Sequence, residues 1–328
     1  MRSTGSAAQA ALPVSPPMNW NLFVTELVAG IVHGSVYALI ALGYSMVYGI
    51  LKLLNFAHGD VFMVGAFIGY GVLTVLGGPT GFSIPIALLL FLMFAASMLG
   101  GGLLGVAIER FAYRRLRDAP RIAPLITALG VSFFLENATV LLLGADYRSY
   151  DTFSWKGGVL WSTAIVLPGG VHLALAQIIV IVGTIVLMIV LTLFVSRTQL
   201  GRAMRATSYD RQASEMMGID VNRVIAATFF IGSALAGAAG VFNCLVYQQL
   251  NAYMGFAAGL KAFTAAVIGG IGNLPGAVVG GLAIGLAESF TIGYVSSTFS
   301  DAIVFVILIG IMIVRPSGLL GRAQVAKV

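Results

Sequence analysis

Charged residues and cysteines are both scarce in this sequence. Only 9% of its 328 residues are charged and 59% are hydrophobic, whereas a soluble domain carries roughly 25% charged residues. A chain of this length cannot bury so much apolar surface in one water-soluble core, so the composition predicts a protein of the lipid bilayer. The single cysteine, Cys244, excludes a disulfide framework or a cysteine-based metal site within one chain.

Residue patterns that support catalysis are also missing. The sequence contains no nucleophile with a base at a recognisable spacing, no zinc-ligand spacing and no acidic metal-binding cluster. The glycine-rich stretches GLLGVA and GGIGN are not followed by the Lys-Ser/Thr pair of a phosphate-binding loop. We therefore expect that the chain is not an enzyme and binds no cofactor or metal itself.

The surplus of positive charge indicates membrane orientation and not nucleic-acid binding. The formal net charge is +6, and thirteen of the eighteen basic residues lie in 109–121, in 196–223 and after Val314. Short stretches rich in Lys and Arg between membrane spans face the cytoplasm. We expect these three stretches to be cytoplasmic, and we expect 144–172 and the N-terminus to lie outside.

Long apolar runs dominate the rest of the chain. A spanning helix needs about 20 mostly apolar residues, and backbone groups in lipid must be satisfied within the segment, which favours helices. The sequence therefore predicts an all-α, polytopic membrane bundle with about eight apolar segments. These segments lie near 22–48, 60–77, 84–108, 122–143, 173–195, 224–247, 262–290 and 299–314.

The predicted domain organisation has three parts. Residues 1–19 form a polar extension, which lacks the apolar core of a signal peptide and is predicted to be disordered. Residues 20–316 form the transmembrane domain, and residues 317–328 form a cytoplasmic tail. Two carboxylates in apolar runs, Glu136 and Glu288, should face the bundle interior or an interface. For both, a structural hydrogen bond to a neighbouring helix is favoured over the alternative of direct substrate contact.

Two of the apolar regions are interrupted by polar or helix-breaking residues. The first break is LNFAHGD at 54–60, and the second is GGIGNLPG at 269–276. If 196–223 and the C-terminus are both cytoplasmic, the chain between them must cross the membrane an even number of times. Three apolar segments lie there, so one of them cannot be a simple crossing. We predict that 262–290, which contains the second break, consists of two half-helices in a broken or re-entrant element. Irregular backbone at membrane depth is tolerated only against protein or a wet cavity.

Broken segments in both halves of a chain are typical of a transport site, where helix ends offer partial charge to a zwitterion. We therefore predict a substrate pathway between the two breaks. The alternative is that the second break only allows close helix packing and that its asparagine only caps a helix. The predicted pathway residues are Asn55, Phe56, His58, Asp60, Gly269, Gly270, Gly272, Asn273, Pro275 and Gly276.

The basic stretch 196–223 contains a pattern typical of a short docking helix. Asp210 can cap a helix that begins at Arg211, and Gly218 can end it. Apolar residues on one side of this helix would contact a cytoplasmic partner, whereas the alternative is a solvated loop that only fixes topology. The predicted coupling residues are Arg202, Arg205, Asp210, Gln212, Ala213, Ser214, Met216, Met217 and Gly218.

Four stretches resemble one transporter family. They are GSVYALIALGYSMVYGILKLLNFAHGD, GRAMRATSYDRQASEMMGID, KAFTAAVIGGIGNLPGAVVGGLAIGLAES and the terminal PSGLLGR. In this order they resemble the LivH-type permeases of high-affinity branched-chain amino acid ABC importers, from about Asn21 to the C-terminus. The matching positions of the EAA-type coupling motif are Gln212, Ala213, Ser214 and Gly218, so its acidic first residue is missing.

The resemblance implies a permease subunit that forms half of an amino-acid pathway in a bacterial cytoplasmic membrane. It also implies a second homologous permease, two cytoplasmic ATPases that bind ATP and Mg²⁺, and an extracytoplasmic substrate-binding protein. The alternative is a self-sufficient channel or secondary transporter for a small polar solute such as urea or an amide, with two broken helices lining its pore.

Overall fold

The structure is a computed structural model that describes residues 20–77, 85–117, 119–120, 122–150, 164–167 and 171–321. The predicted extension 1–19 lies outside the described residues, as do residues 322–328 of the predicted tail. Part of the stretch 144–172, whose predicted position is outside the membrane, is likewise not described.

Most of the described chain is helical and no closed sheet is present in it, so the protein is an all-α polytopic bundle. Eight helices are long and apolar enough to cross a membrane, among the residues that the structure describes. The described residues form eleven α-helices, of which α6, α7 and α9 are not among these eight. They are α1 (Trp20–Leu51), α2 (His58–Gly77), α3 (Ile86–Ile108), α4 (Ile122–Leu143), α5 (Leu175–Arg197), α6 (Gln199–Tyr209), α7 (Arg211–Met216), α8 (Val221–Tyr247), α9 (Met254–Gly269), α10 (Leu274–Tyr294) and α11 (Ser300–Val314).

Short irregular elements and strands lie at the helix ends. Helix α3 continues as a π turn over Glu109–Tyr113 and a 3₁₀ turn over Arg114–Leu116, and a second 3₁₀ turn over Ser297–Phe299 precedes α11. Two antiparallel strand pairs are present: β1 (Arg148–Ser149) with β4 (Gln249–Leu250), and β2 (Ala164–Leu167) with β3 (Val171–Ala174).

The predicted loops gather at two ends of the bundle. At one end, which we call the basic end, the Arg117 guanidinium donates to the Asn222 side chain, and the amide of Leu319 donates to the Ile268 carbonyl. At the far end, β1 pairs with β4, and the Tyr150 amide donates to the Gln248 carbonyl. Arg205 and Gly272, which follows α9, line one cavity at this end. The basic stretches 109–121 and 196–223 therefore share one end with residues 315–321.

The second break was expected to join two half-helices, and the structure corrects their extent. Helix α9 has 16 residues and begins at Met254, whereas α10 has 21 residues and is a full-length crossing helix. The two helices run antiparallel, because Gly269 lies against Gly276, and Gly280 lies against Ala265. Of the four helices between the basic loop and residues 315–321, α9 is the one too short to be a candidate span. An even number of crossings therefore requires α9 to complete one together with its flanking residues.

The core lies around α1 and α8, whose side chains are largely buried. Helix α1 packs tightly against α10 through small residues, which replace apolar burial as the means of helix association in lipid. A Cβ atom on Gly281 would lie 2.6 Å from the Ala38 Cα atom. The close approach of these two helices therefore requires glycine at this position.

Candidate functional site

The first break lies inside the bundle. Helix α1 ends as Lys52 adopts a left-handed conformation with φ 55°, and α2 begins at His58. A Cβ on Gly43 would lie 2.6 Å from His58 Cε1, and Gly43 precedes the end of α1 by eight residues. At 1.5 Å per residue, the His58 ring contacts α1 about 12 Å before that helix ends.

Protein, and not lipid, surrounds the polar residues of the first break. Asn55, His58 and Asp60 are all buried. The Tyr113 hydroxyl lies 3.1 Å from Asn55 Oδ1 and 3.2 Å from the Leu54 carbonyl, so it can donate to either acceptor. This burial meets the requirement that irregular backbone at membrane depth be covered by protein.

Aromatic and carboxyl neighbours complete the surroundings of this break. The His58 ring packs edge-on against Tyr44 at 4.8 Å between centroids, and Phe56 packs against Phe263 of α9 at 5.9 Å. Ser132 and Glu136 of α4 face the Asp60 carboxyl group. The predicted inward position of Glu136 is confirmed by its burial.

The second break is a tight turn with two glycines in left-handed backbone, Gly270 with φ 102° and Gly272 with φ 90°. Asn273 caps α10, because its Oδ1 accepts from the Gly276 amide at 3.3 Å, and Pro275 lies in the first turn. The capping expected under the packing alternative is therefore present. Asn273 also donates from Nδ2 to the Leu320 carbonyl at 2.6 Å.

The C-terminal segment covers this turn. The amide of Leu319 donates to the Ile268 carbonyl at 2.7 Å, and the amide of Leu320 donates to the Gly269 carbonyl at 3.1 Å. These bonds satisfy carbonyls that the end of a helix otherwise leaves without partners. Residues 317–321, which the sequence analysis assigned to the tail, thus pack against the bundle.

The predicted docking helix forms as α7. The Asp210 carboxylate accepts from the Ala213 amide at 2.9 Å, and Gly218 follows with φ 83°. Met216 and Met217 are 82% and 83% exposed, which leaves two large apolar side chains uncovered. Among the other predicted coupling residues, Ser214 is buried, Ala213 is half-buried, and Arg202, Arg205, Asp210, Gln212 and Gly218 are exposed.

The second break and the basic stretch meet in one cavity. A space of about 90 Å³ is lined by Gly49 of α1, Gly272 of the turn, and Met204, Arg205 and Ser208 of α6. A predicted pathway residue and a predicted coupling residue therefore line the same cavity at the basic end.

The start of α2 and the second break are not adjacent. Gly59, in the first turn of α2, packs against α9 at Gly255 and Gly259. Gly259 precedes the second break, at the end of α9, by ten residues, or about 15 Å of helix. The start of α2 and the second break are therefore separated along α9, whereas the end of α1 approaches the second break where Gly49 lies against Gly272.

Sequence reasoning missed a buried charge network near the far end. Lys261 Nζ lies 2.6 Å from Glu288 Oε1 and 2.6 Å from Asp301 Oδ1, and the Tyr37 hydroxyl donates to Glu288 Oε2 at 2.8 Å. The expected structural hydrogen bond of Glu288 is thus confirmed. The signal for its partner was Lys261, a charged residue within a long apolar run.

A cavity with several polar side chains in its walls adjoins this network. Its volume is about 230 Å³, below the roughly 300–1,000 Å³ of pockets for drug-sized ligands, and Tyr37, Asn243, Tyr247, Asn251 and Lys261 contribute to its walls. The cavity opens among the elements that pair at the far end.

Sequence reasoning also missed a charge cluster at the basic end. The Glu109 carboxylate is fully buried and pairs with Arg114, at 3.2 Å, and with Arg117. Burial lowers the pKa of Arg117 below its ordinary value, and the nearby Glu109 carboxylate offsets part of this shift. The guanidinium still stays protonated, as it does in proteins generally. Glu109 opens the Arg-rich stretch, and its sequence position suggested an exposed loop.

The chain is similar in sequence to permeases of branched-chain amino acid transport systems. A sequence model of the family described as branched-chain amino acid transport system / permease component matches residues 26–314. The high-affinity branched-chain amino acid transport system permease protein BraD of Pseudomonas aeruginosa is 43% identical over 306 residues, covering 93% of this chain and 98% of BraD. LivH of Escherichia coli, which carries the same description, is 39% identical over 310 residues, covering 93% and 98%.

More distant relatives extend the comparison. The probable branched-chain amino acid transport permease protein LivH of Methanocaldococcus jannaschii is 26% identical over 313 residues, covering 90% of this chain and 91% of the relative. No solved structure gives a significant match.

Proposed function

Because the chain belongs to the family of branched-chain amino acid transport system permease components, we propose that it is the transmembrane permease subunit of an ABC importer. It forms half of a translocation pathway for branched-chain or related amino acids. The observation that carries this proposal is similarity along 93% of the chain to BraD and LivH, which are both described as permease proteins of branched-chain amino acid transport systems.

The proposed orientation puts the basic end in the cytoplasm of a bacterial cell, with the protein in the cytoplasmic membrane. Support comes from the positive-inside rule, since the two Arg-rich stretches and residues 315–321 share that end. The far end then faces the extracytoplasmic binding protein, and the C-terminus is cytoplasmic.

Two partner ATPases are proposed to bind ATP and Mg²⁺, and one of them docks on α7. A second homologous permease completes the pathway. Exposed Met216 and Met217 support this assignment, because two uncovered apolar side chains beside a capped helix favour contact with another protein. In this assignment residues 20–316 are the permease domain, with 196–223 as its coupling loop.

We keep the two breaks as the proposed pathway, with the cavity between Gly272 and Arg205 at its cytoplasmic end. Buried Asn55 and His58 provide polarity within the bundle. Helix ends at both breaks would offer partial charges to a passing zwitterion. Weak contacts of this kind suit a permease, because tight binding would slow release.

The experiment that tests the function uses the complex reconstituted in vesicles with both permeases, the ATPases and the binding protein. Leucine-stimulated ATP hydrolysis and leucine import are measured for Met216→Asp with Met217→Asp. Burying one methionine contributes about 1.5–3 kcal/mol, so both rates should fall at least tenfold. The matched control, Met216→Leu with Met217→Leu, keeps the apolar contact and should retain both rates within about twofold.

Normal hydrolysis and import by the aspartate variant would refute docking on α7. Leucine import that needs neither ATP nor the ATPases would instead favour a self-sufficient carrier. Absence of import for leucine, isoleucine and valine, with hydrolysis stimulated by another amino acid, would change the substrate and keep the transporter class.

A further inference from the structure

A π turn follows α3 and begins the Arg-rich stretch 109–121. Residues Glu109–Tyr113 form this turn directly after Ile108. Such turns are rare, and they frequently occur at functional sites. Here the turn carries two buried side chains, Glu109 and Tyr113, whose contacts lead in different directions.

One set of contacts leads to the coupling loop. The Arg117 guanidinium pairs with Glu109 through Nη2 and donates through Nη1 to Asn222 Oδ1 at 2.6 Å. Its side chain is only 4% exposed. Because guanidinium donors form a fixed planar fork, Arg117 holds Glu109 and Asn222 in a defined geometry.

Asn222 lies close to the docking helix along the chain. It is the second residue of α8, which Asp220 caps by accepting from the Arg223 amide at 3.1 Å. The intervening residues are fixed by the bond from the Ile219 amide to the Ser214 carbonyl at 3.0 Å. A displacement of α7 therefore moves the start of α8 with it.

The other set of contacts leads to the first break. The Tyr113 hydroxyl faces the Asn55 side chain and the Leu54 carbonyl, at 3.1 and 3.2 Å. Its ring packs against Phe229 of α8 at 5.5 Å between centroids. The π turn thus contacts both the interior break and the helix that follows the docking site.

We infer that the π turn Glu109–Tyr113, with Arg117 as its bridge to Asn222, transmits movement of α7 to the break at Asn55. This inference rests on the proposed function, in which α7 docks an ATPase. Arg117, Glu109 and Tyr113 are positioning residues and need no contact with substrate. When the ATPases move α7, Arg117 pulls on Glu109, and Tyr113 shifts the backbone that carries Asn55.

The alternative is that these contacts are purely structural and only hold α3 against α8. Loss of a structural contact affects assembly and stability, whereas loss of a transmitting contact lowers the amount of transport that accompanies each ATP hydrolysed. The discriminating quantity is therefore the ratio of leucine imported to ATP hydrolysed, measured in the same vesicles. Coupling claims of this kind require such a direct measurement.

The test compares Arg117→Gln with Arg115→Gln in the full reconstituted complex. Both changes remove one positive charge from the same short segment, but Arg115 is exposed and Arg117 bridges Glu109 and Asn222. Arg117→Gln should lower the import-to-hydrolysis ratio about fivefold or more, a size that mutations along coupling networks reach. Arg115→Gln should leave the ratio unchanged within about twofold.

Tyr113→Phe provides a second, milder variant, because it removes only the hydroxyl that faces Asn55. It should assemble normally and lower the same ratio by about threefold or more. If both Arg117→Gln and Tyr113→Phe assemble and keep the ratio within twofold of the unaltered complex, the inference is wrong. If Arg117→Gln fails to assemble, Tyr113→Phe alone decides, and an unchanged ratio refutes the inference.

Failure of the proposed function gives a different result. In that case the variant with aspartate at Met216 and Met217 hydrolyses ATP and imports leucine normally, whatever the π-turn variants do. If that variant loses both rates but the Arg117 and Tyr113 variants stay coupled, docking on α7 stands and only the transmission route is refuted.

Discussion

Removal of Glu288 should destabilise the bundle strongly. The side chains of Lys261 and Glu288 are only 14% and 6% exposed, and their charged atoms lie 2.6 Å apart. Deleting one partner of a buried pair leaves an uncompensated charge, at a cost of about 3–5 kcal/mol. We expect the lower end, about 3 kcal/mol, for Glu288→Met, because Lys261 keeps its contact with Asp301, which is 65% exposed.

The protein contains a built-in reporter for this measurement. Cys244 is the sole cysteine of the sequence, and its side chain is fully buried, so a maleimide reaches it only when the bundle opens. When reclosing is fast compared with labelling, the labelling rate follows the opening equilibrium. A loss of about 3 kcal/mol should then raise the rate about 100-fold, since 1.4 kcal/mol corresponds to a factor of ten.

Two further variants decide whether the ion pair is the cause. Lys261→Met combined with Glu288→Met should restore most of the protection, because a buried pair replaced by apolar side chains is often neutral. Glu288→Met also removes the oxygen that accepts a hydrogen bond from the Tyr37 hydroxyl. This loss occurs in both the single and the double variant, so its cost cancels when their labelling rates are compared. Asp301→Asn removes an exposed partner and should change the rate less than about fivefold. A change below threefold for Glu288→Met, or a double variant that labels faster than the single one, would refute the reasoning.

Three other predictions follow from the fold and the proposed pathway. In a cysteine-free background, Tyr209→Cys should label only from the cytoplasmic side and Tyr253→Cys only from outside; the reverse pattern would overturn the orientation. Asn55→Leu and Asn273→Leu should each slow leucine import at least threefold in assembled complexes, and normal import by both would move the pathway elsewhere. Gly281→Val should push α1 and α10 apart, at about 1–3 kcal/mol, and speed thiol labelling at least fivefold; an unchanged rate would show that this close contact is dispensable.

The sequence was sufficient to predict the fold class, the basic end and α7. The length of an apolar run is enough to identify a candidate membrane-spanning helix. The clustering of arginine between such runs is enough to predict which loops lie on the same side. The cap of α7 depends on Asp210 and a glycine eight residues later, so it is encoded locally. Features of this kind need no knowledge of tertiary packing, and for that reason they were accessible.

Contacts between distant helices were not accessible in the same way. Lys261 meets Glu288 because the turn at 270–273 sets the register of α9 against α10, which no local pattern specifies. Burial of Glu109 depends on a π turn at the end of α3, and a stretch of five arginines gave the opposite impression of a solvated loop. The depth at which α2 begins likewise depends on its packing against Gly43.

The α9–α10 turn is completed by residues that are synthesised later than the turn itself. Leu319 and Leu320 supply amide donors to Ile268 and Gly269, which precede them by about fifty residues. At 5–20 residues per second, these donors are made about 3–10 s after the turn itself. The carbonyls at the end of α9 therefore lack these partners until Leu320 has been synthesised.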